Sequence, residues 1–221
     1  MRLLDTSAIT LREFHGHKVP DYAILSHTWG EEEVSYQELG KAESRYLAGY
    51  SKIAGCCALA KSQGLEYVWI DTCCIDKTSS AELSEAINSM FRWYRDAQVC
   101  YAYFADVGTL AGMPLDPAEM ESFRRSRWFT RGWTLQELLA SRDLVFYDRD
   151  WKEIGTRQAL HSDISIATGI SQDHIINPMS ASAAQKMFWA SKRHTTRIED
   201  MSYCLMGLFD VNMPLLYGEG A

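Results

Sequence analysis

Four short, almost uninterrupted apolar segments constrain the fold of this chain more than any other feature. They occupy residues 22–26, 67–71, 99–104 and 144–147. A strand that is apolar on both sides is typical of a parallel sheet covered by helices on both faces. We therefore predict four buried strands in one mostly parallel sheet.

Helical patterns fill the intervals between these segments. In residues 51–63 the apolar side chains follow the spacing of one helix face, and in residues 83–94 they form a longer stripe. Ser79 and Glu82 form a capping-box pattern ahead of the second helix. Strands that alternate with helices in this way predict an α/β fold built from right-handed crossovers.

The last third of the chain has a different pattern. After Trp151 the strand pattern fades, and residues 181–192 and 199–208 look helical. Thr196 and Glu199 form a capping-box pattern at the start of the second of these segments. We predict one domain over residues 1–221, with an α/β core over about 20–150 and a helical extension over about 151–221.

The charge balance restricts the partners. The net charge of −7 gives no overall attraction to nucleic acid or to an anionic membrane, and no apolar run is long enough to span a bilayer. Six cysteines without zinc-ligand spacing indicate free thiols in a reducing, cytoplasmic setting. Two basic clusters fit either a small anionic ligand or solvated surface: Arg124, Arg125, Arg127 and Arg131, and Lys192, Arg193, His194 and Arg197.

Polar residues follow two of the predicted strands at the point where each strand ends. The segment YAILSHTWGEEE delivers Ser26, His27, Trp29 and Gly30, and YVWIDTCCIDK delivers Asp71. A third segment, SRWFTRGWTLQELLA, follows the third strand after a longer connection. In open α/β sheets, ligands bind beyond the carboxyl ends of the strands, so we expect a ligand site there.

These three segments, with the closing RIEDMSYCLMGLFDVNMPLLYGEG, resemble the signature blocks of the fungal heterokaryon-incompatibility (HET) domain. The resemblance implies a cell-death effector that acts when genetically different hyphae fuse. It also implies fusion to nucleotide-binding and repeat domains in a receptor-like parent. We expect the chain, which stops after PLLYGEGA without a closing helix, to be a domain of such a longer protein.

HET domains are in turn distantly similar to TIR domains, which have a flavodoxin-like sheet and several of which cleave NAD. The TIR pattern S-x6-W-x3-E-L is present here as Ser126, Trp133, Glu137 and Leu138, although Thr134 stands where TIR sequences commonly have cysteine. The resemblance implies that Glu137 is catalytic. It further implies self-association with other HET or TIR-like domains.

The chemistry of NAD cleavage agrees with these residue types. Loss of nicotinamide passes through an oxocarbenium-like ribose that one carboxylate can stabilise, while tryptophan stacks on a flat ring and arginine holds a pyrophosphate. We predict a TIR-type NAD glycohydrolase with NAD as substrate and no bound cofactor or metal. Glu137 is the predicted catalytic residue, and the predicted ligand-binding residues are Ser26, His27, Trp29, Gly30, Asp71, Arg131 and Trp133.

Each of these residues has a structural alternative. Thr134 and Glu137 form a capping-box pattern, in which Glu137 merely caps its helix. His27 can be a hydrogen-bonded loop histidine, Trp29 a lid on the core, and Asp71 the acceptor of an Asx-turn.

Two further alternatives concern chemistry. Cys73 and Cys74 are buried or loop thiols or, as a minor hypothesis, the nucleophile of a hydrolase. The whole domain is alternatively a non-catalytic signalling module that triggers cell death by homotypic assembly, since fold does not decide function.

Overall fold

A seven-stranded mixed sheet forms the centre of the protein. The computed structural model describes residues 1–108 and 116–218. The strands are Arg2–Asp5 (β1), Thr10–Glu13 (β2), Ala23–His27 (β3), Tyr67–Trp69 (β4), Val99–Tyr103 (β5), Leu144–Tyr147 (β6) and Glu153–Thr156 (β7). Their order across the sheet is β2-β1-β4-β3-β5-β6-β7.

The four strands predicted from the apolar segments form the parallel centre of this sheet. β3 pairs in parallel with β4 on one side and with β5 on the other, and β5 pairs in parallel with β6. All five residues of β3 are buried, which agrees with the continuous apolar run in the sequence. The predicted α/β class and the mostly parallel sheet are therefore confirmed.

Three outer strands, two of which form the edges of the sheet, were not predicted. β1 and β2 form an antiparallel hairpin whose first strand also pairs with β4, and β7 pairs antiparallel with β6. β2 has no buried residue, and β7 contains Gly155 at a φ of 148°, so neither has the apolar pattern of the central strands. The sheet thus uses residues before 20 and after 150, and the division of the chain at those positions stays a prediction.

Helices cover the sheet, and after β7 they form the regular secondary structure of the described chain. They are Ala48–Ser62 (α1), Asp71–Cys74 (α2), Ser80–Asp96 (α3), Pro117–Arg124 (α4), Trp133–Ala140 (α5), His161–Thr168 (α6), Gln172–Ile176 (α7), Ala183–Ala190 (α8) and Asp200–Tyr203 (α9). Five 3-10 helices, at Gly16–Lys18, Ala42–Tyr46, Arg127–Thr130, Pro178–Ser180 and Met206–Phe209, complete the described secondary structure.

The predicted helices α1 and α3 are confirmed, whereas the one expected over 199–208 is wrong in its extent. Ser79 caps α3 by accepting a hydrogen bond from the Glu82 backbone N–H. By contrast, Glu199 precedes α9 without any side-chain cap, and α9 ends at Tyr203. The Thr196 hydroxyl instead accepts a hydrogen bond from Arg131, so that capping box does not form.

The winding of the parallel strands reverses between β3 and β5. The chain moves from β3 outward to β4 and then crosses back over β3 to β5. Two right-handed crossovers in opposite directions place α1 and α3 on opposite faces of the sheet. Such a reversal opens a crevice at the carboxyl ends of the strands.

Candidate functional site

A cleft of about 250 Å³ lies at the carboxyl end of the sheet. Its walls come from the ends of β3 and β4, from α3 and α5, and from the chain after Arg193. The side chains that line it are His27, Trp29, Asp71, Ile75, Lys77, Leu83, Ile87, Met90, Tyr94, Arg131, Trp133, Thr134, Glu137, Thr196, Arg197, Asp200 and Tyr217.

Glu137 reaches the cleft from a buried position on α5. Its carboxylate accepts a hydrogen bond from the Ser26 hydroxyl, and the same hydroxyl accepts one from Trp128 Nε1 at 2.8 Å. Burial raises the pKa of Glu137 to about 8, while hydrogen bonds from Ser26 and Tyr94 work in the opposite direction. A buried carboxyl with a strongly shifted pKa in a cleft is typical of a functional site.

A second hydroxyl, that of Tyr94, lies beside the same carboxyl group. It donates to the Leu25 carbonyl at 2.9 Å. Its interaction with Glu137 lowers the pKa of the acid, as that of Ser26 does, so both hydroxyls favour the ionised form against the effect of burial.

Glu137 is not a helix cap. α5 begins at Trp133 after Gly132, and no side chain caps it. Thr134 lies inside the helix, and its hydroxyl donates to the carbonyls of Trp128 at 2.5 Å and Arg131 at 3.0 Å instead of capping the helix as an acceptor. The capping box predicted from Thr134 and Glu137 does not form, because the Glu137 carboxylate turns to Ser26 instead.

His27 follows Ser26 on the strand and has quite different surroundings. Neither ring nitrogen has a hydrogen-bond partner, although both are buried. Nε2 lies 3.8 Å from Asp71 Oδ1 and 3.9 Å from Glu33 Oε2, which is too long for a hydrogen bond. Burial, together with the Lys52 charge, lowers the pKa of His27 to about 3, so the ring is neutral at physiological pH.

Trp29, Asp71 and Lys77 form the rim of the cleft beside His27. Trp29 Nε1 donates to Asp71 Oδ2 at 2.8 Å, and the ammonium of Lys77 lies 3.8 Å from the centre of the indole ring. Trp29 remains 47% exposed, so it does not close the core as a lid. The hydrogen bond from Trp29 orients the Asp71 carboxylate with Oδ1 toward His27.

The two basic clusters of the sequence meet at the cleft through a short stretch of paired backbone. Gly132 N donates to the His194 carbonyl at 2.9 Å, and His194 N donates to the Thr130 carbonyl at 2.8 Å. Arg131 and Arg197 consequently face the same cleft. Arg124 and Arg125 instead pair with carboxylates, at 2.8 Å to Asp163 and 2.6 Å to Glu121.

Arg193 secures this junction from inside the protein. Its Nη1 donates to the Arg131 carbonyl and to the Thr134 hydroxyl, both at 2.9 Å. Burial lowers the pKa of Arg193 to about 10. The guanidinium thus ties the segment after α8 to the start of α5, the helix that carries Glu137.

The comparisons with known proteins identify the family. Residues 22–116 match the family profile described as heterokaryon incompatibility protein (HET). Over 208 residues, or 92% of its length, the chain is 50% identical to the vegetative incompatibility protein HET-E-1 of Podospora anserina. The chain carries a heterokaryon-incompatibility domain.

The match covers only a small part of the relative. The chain spans about 15% of the length of HET-E-1. No solved structure gives a significant match to the chain. The last two residues of the closing HET-like block, 219 and 220, lie outside the described residues.

The structure brings most of the predicted site residues of this HET domain to one cleft. Six of them line it: His27, Trp29, Asp71, Arg131, Trp133 and Glu137. Ser26 lies behind Glu137 and is fully buried, so it contacts the acid rather than the open cleft. Gly30 is not among the residues that line the cleft, and its N–H donates to Glu33 Oε1 at 2.6 Å.

Sequence reasoning missed several residues of the cleft. Tyr94 and Ile87 were assigned to the core by their helical spacing, although they form the cleft wall on α3. Lys77 is the last residue of the WIDTCCIDK segment, and nothing in its local sequence indicated that it lines the cleft. Asp200 and Tyr217 come from the predicted extension, and their hydrogen bond of 2.8 Å lies at the mouth of the cleft.

The cysteines are not placed for nucleophilic chemistry. All six are free and buried, as predicted for Cys56 and Cys57. The hydrogen bond to Cys74 and burial raise the pKa of the Cys73 thiol, which keeps it protonated and unreactive. This arrangement favours the structural alternative for Cys73 and Cys74.

Two general features complete the description of the site. Within residues 1–108 and 116–218, no His, Cys, Asp or Glu side chains form a group of three or more that could hold a metal ion. In the same part of the chain, no helix has both the length and the apolarity needed to cross a membrane.

Proposed function

We propose that this HET domain is a cell-death effector of vegetative incompatibility that hydrolyses NAD, or a related nucleotide, at the nicotinamide–ribose bond. The observation that carries the proposal is the buried Glu137 carboxyl, which faces a cleft with two indoles and several cationic side chains. The similarity to a vegetative incompatibility protein supports the biological role.

The reaction needs little beyond a well-placed carboxylate. The bond between ribose C1′ and the nicotinamide nitrogen breaks, and its electron pair passes to the ring, so nicotinamide leaves as a neutral molecule. The ribose carries the resulting positive charge, which an ionised Glu137 stabilises as the bond lengthens. Water then adds to C1′ with loss of a proton, which gives ADP-ribose.

Protonation of Glu137 controls this step. With a pKa of about 8 the free protein holds the acid mostly neutral at pH 7. The cationic nicotinamide ring favours the ionised form when it binds next to the carboxyl group. We therefore expect kcat/KM to rise with pH and to level off above about 8, since that ratio reports the free enzyme.

The remaining cleft residues match the other parts of NAD. Arg131 and Arg197 can hold a pyrophosphate, and Trp133 offers an aromatic surface to a flat ring. The order of the four parallel strands, second-first-third-fourth along the chain, is that of flavodoxin-like sheets, which supports a TIR-like fold. Self-association and fusion to nucleotide-binding and repeat domains, in the cytoplasm, belong to the same proposal.

The test is an NAD cleavage assay on the purified chain, both free in solution and clustered through an appended coiled coil. Free nicotinamide and ADP-ribose are measured by chromatography. We expect Glu137→Gln to lower the rate by about 100- to 1000-fold. Glu153→Gln, an exposed acid on β7, serves as the matched control and keeps full activity. Intact NAD after clustering of the wild type rejects the enzymatic function.

A non-catalytic assembly module is the second candidate, and one observation favours it. Met187 and Phe188 are adjacent on α8 and are 52% and 54% exposed, so together they offer an apolar surface that a second molecule can cover. If the wild-type chain kills cells while NAD stays intact, and if Met187→Ser with Phe188→Ser abolishes killing, assembly rather than hydrolysis is the function.

A further inference from the structure

We propose that His27, Asp71 and Glu33 form a subsite for an uncharged sugar hydroxyl of the ligand, so that the cleft selects a ribose with free hydroxyls. The inference rests on the proposed function, because it names the part of the substrate that lies beside Glu137. It adds Glu33 to the site and assigns His27 a specific partner.

The first argument is the spacing of the three side chains. His27 Nε2 is 3.8 Å from Asp71 Oδ1 and 3.9 Å from Glu33 Oε2. These separations are too long for direct hydrogen bonds. Nε2 is closed off from water-sized atoms in the free protein, so a hydroxyl that bridges the three groups requires a small outward shift of the carboxylates beside it. A hydroxyl can donate to a carboxylate oxygen and accept from a ring N–H at the same time.

The second argument is the unusual condition of the histidine. Its side chain is only 1% exposed, yet neither ring nitrogen has a hydrogen-bond partner. Leaving a buried polar group unpaired costs about 1–3 kcal/mol, so a histidine kept only for packing is expected to have a partner. His27 also lines the cleft, and a ligand that enters the cleft can supply that partner.

The third argument is the charge around the ring. Glu33 and Asp71 face it with two carboxylates, and Lys52 and Lys77 with two ammonium groups. Lys52 is bound to Glu33, and Lys77 lies on the Trp29 ring, so the charges compensate each other. The two carboxylates would repel a phosphate, and the two ammonium groups would repel a cation. A neutral hydroxyl is repelled by neither pair.

The experiment compares ligands that differ by one hydroxyl. Nicotinamide riboside and its 2′-deoxy and 3′-deoxy analogues are titrated into Glu137→Gln protein, which holds them without cleavage, and binding is followed by tryptophan fluorescence. With His27 present, loss of one of the two hydroxyls is expected to weaken binding by about 10- to 100-fold. In the His27→Phe protein the same loss should change binding by less than about threefold.

The controls separate this subsite from a general effect on folding. His161→Phe changes a histidine outside the cleft and keeps the full discrimination. Should His27→Phe fail to fold, His27→Gln and Asp71→Asn replace it, and both are expected to reduce the discrimination. Equal affinity of all three ligands for His27 protein overturns the proposal. So does stabilisation of the wild type by Mn²⁺ alone that His27→Phe abolishes, because the site then holds a cation.

Failure of this inference and failure of the proposed function give different results. Wild-type protein that leaves NAD intact but still requires one ribose hydroxyl for binding rejects hydrolysis and keeps the subsite. Wild-type protein that cleaves NAD but binds the deoxy analogues equally well keeps hydrolysis and rejects the subsite.

Discussion

Ser26 and His27 are neighbours at the end of β3, yet they have opposite surroundings. Successive residues of a strand point to opposite faces of the sheet. Ser26 points toward Glu137 and Trp128, and its hydroxyl uses both its donor and its acceptor capacity there. His27 points toward Asp71 and Glu33, and neither of its nitrogens is hydrogen-bonded.

We expect this difference to separate a positioning residue, Ser26, from a residue that binds ligand, His27. A fully hydrogen-bonded buried group stabilises the folded chain, and its removal leaves its partners unpaired. An unpaired buried group adds no such hydrogen-bond stabilisation to the folded chain without ligand. The free energy of unfolding at pH 7.5, without ligand, should therefore change much more on substitution of Ser26 than on substitution of His27.

The largest effect is expected for Glu137→Gln. The pKa of Glu137 is raised from 4.5 to about 8 in the folded chain, so the folded state binds the extra proton between these values. Wild-type stability must then fall as the pH rises through that window, by about 1.4 kcal/mol per unit. Glutamine does not titrate. The free energy of unfolding of Glu137→Gln should therefore gain on that of the wild type as the pH rises, by about 4 kcal/mol above pH 8.

Chemical denaturation at several pH values between 4 and 9 measures this gain, with Glu153→Gln as the control. The gain should become small as the pH approaches 4, below the unfolded-state pKa of 4.5, where both states of the wild type mostly hold the proton. A constant difference across the whole range would show that Glu137 is not titrating as a buried acid.

Ser26→Ala comes next. It leaves Glu137 and Trp128 Nε1 without their buried partner, which should destabilise the chain by about 3 kcal/mol. It should also move the pH at which kcat/KM levels off to a higher value, because the Ser26 hydrogen bond lowers the Glu137 pKa. Ser62→Ala, an exposed serine on α1, should change neither quantity. An unchanged pH profile would mean that Ser26 is structural only.

Tyr94→Phe has a smaller expected effect. The substitution keeps the ring and removes the hydroxyl that donates to Leu25 and lies beside Glu137, at a cost of about 1 kcal/mol. Thermal unfolding of Tyr94→Phe, Glu137→Gln and the double variant forms a double-mutant cycle. Additive effects would show that the hydroxyl and the carboxyl do not interact.

The smallest effect at pH 7.5 is expected for His27→Phe, within about 1 kcal/mol of the wild type. Its pH dependence should have the opposite sign to that of Glu137. The folded chain lowers the His27 pKa from 6.5 to about 3, so the unfolded state binds more protons below pH 6.5. The wild type should lose stability relative to His27→Phe as the pH falls from 6.5 toward 3. A loss above 3 kcal/mol at pH 7.5 would make His27 a packing residue.

The central strands and the main helices could be predicted because their patterns are local. The apolar runs at Ala23–His27 and Val99–Tyr103 are buried on both sides, and the stripe of Ser80–Asp96 has helical spacing over four turns. The edge strand Thr10–Glu13 has no buried side, so it lacks any comparable pattern. The helix expected over 199–208 was too long because a capping pattern marks where a helix begins and does not show where it ends.

The site was predictable in part for the same reason. Residues that follow a strand, such as His27 and Asp71, reach the carboxyl edge of the sheet whatever else the fold does. Residues whose role depends on distant partners were not predictable. Thr134 was expected to cap α5 together with Glu137, but it accepts a hydrogen bond from Arg193, 59 residues away in the chain.

The sequence alone determined the four central strands, the main helices and the polar residues at the strand ends, because neighbouring residues create those patterns. Only the tertiary structure decided the surroundings of Glu137. Its hydroxyl partner, Ser26, is 111 residues away, and its pKa depends on burial by α3, α5 and the sheet together. Desolvation arises from all the atoms around a group, so no local stretch of sequence contains it.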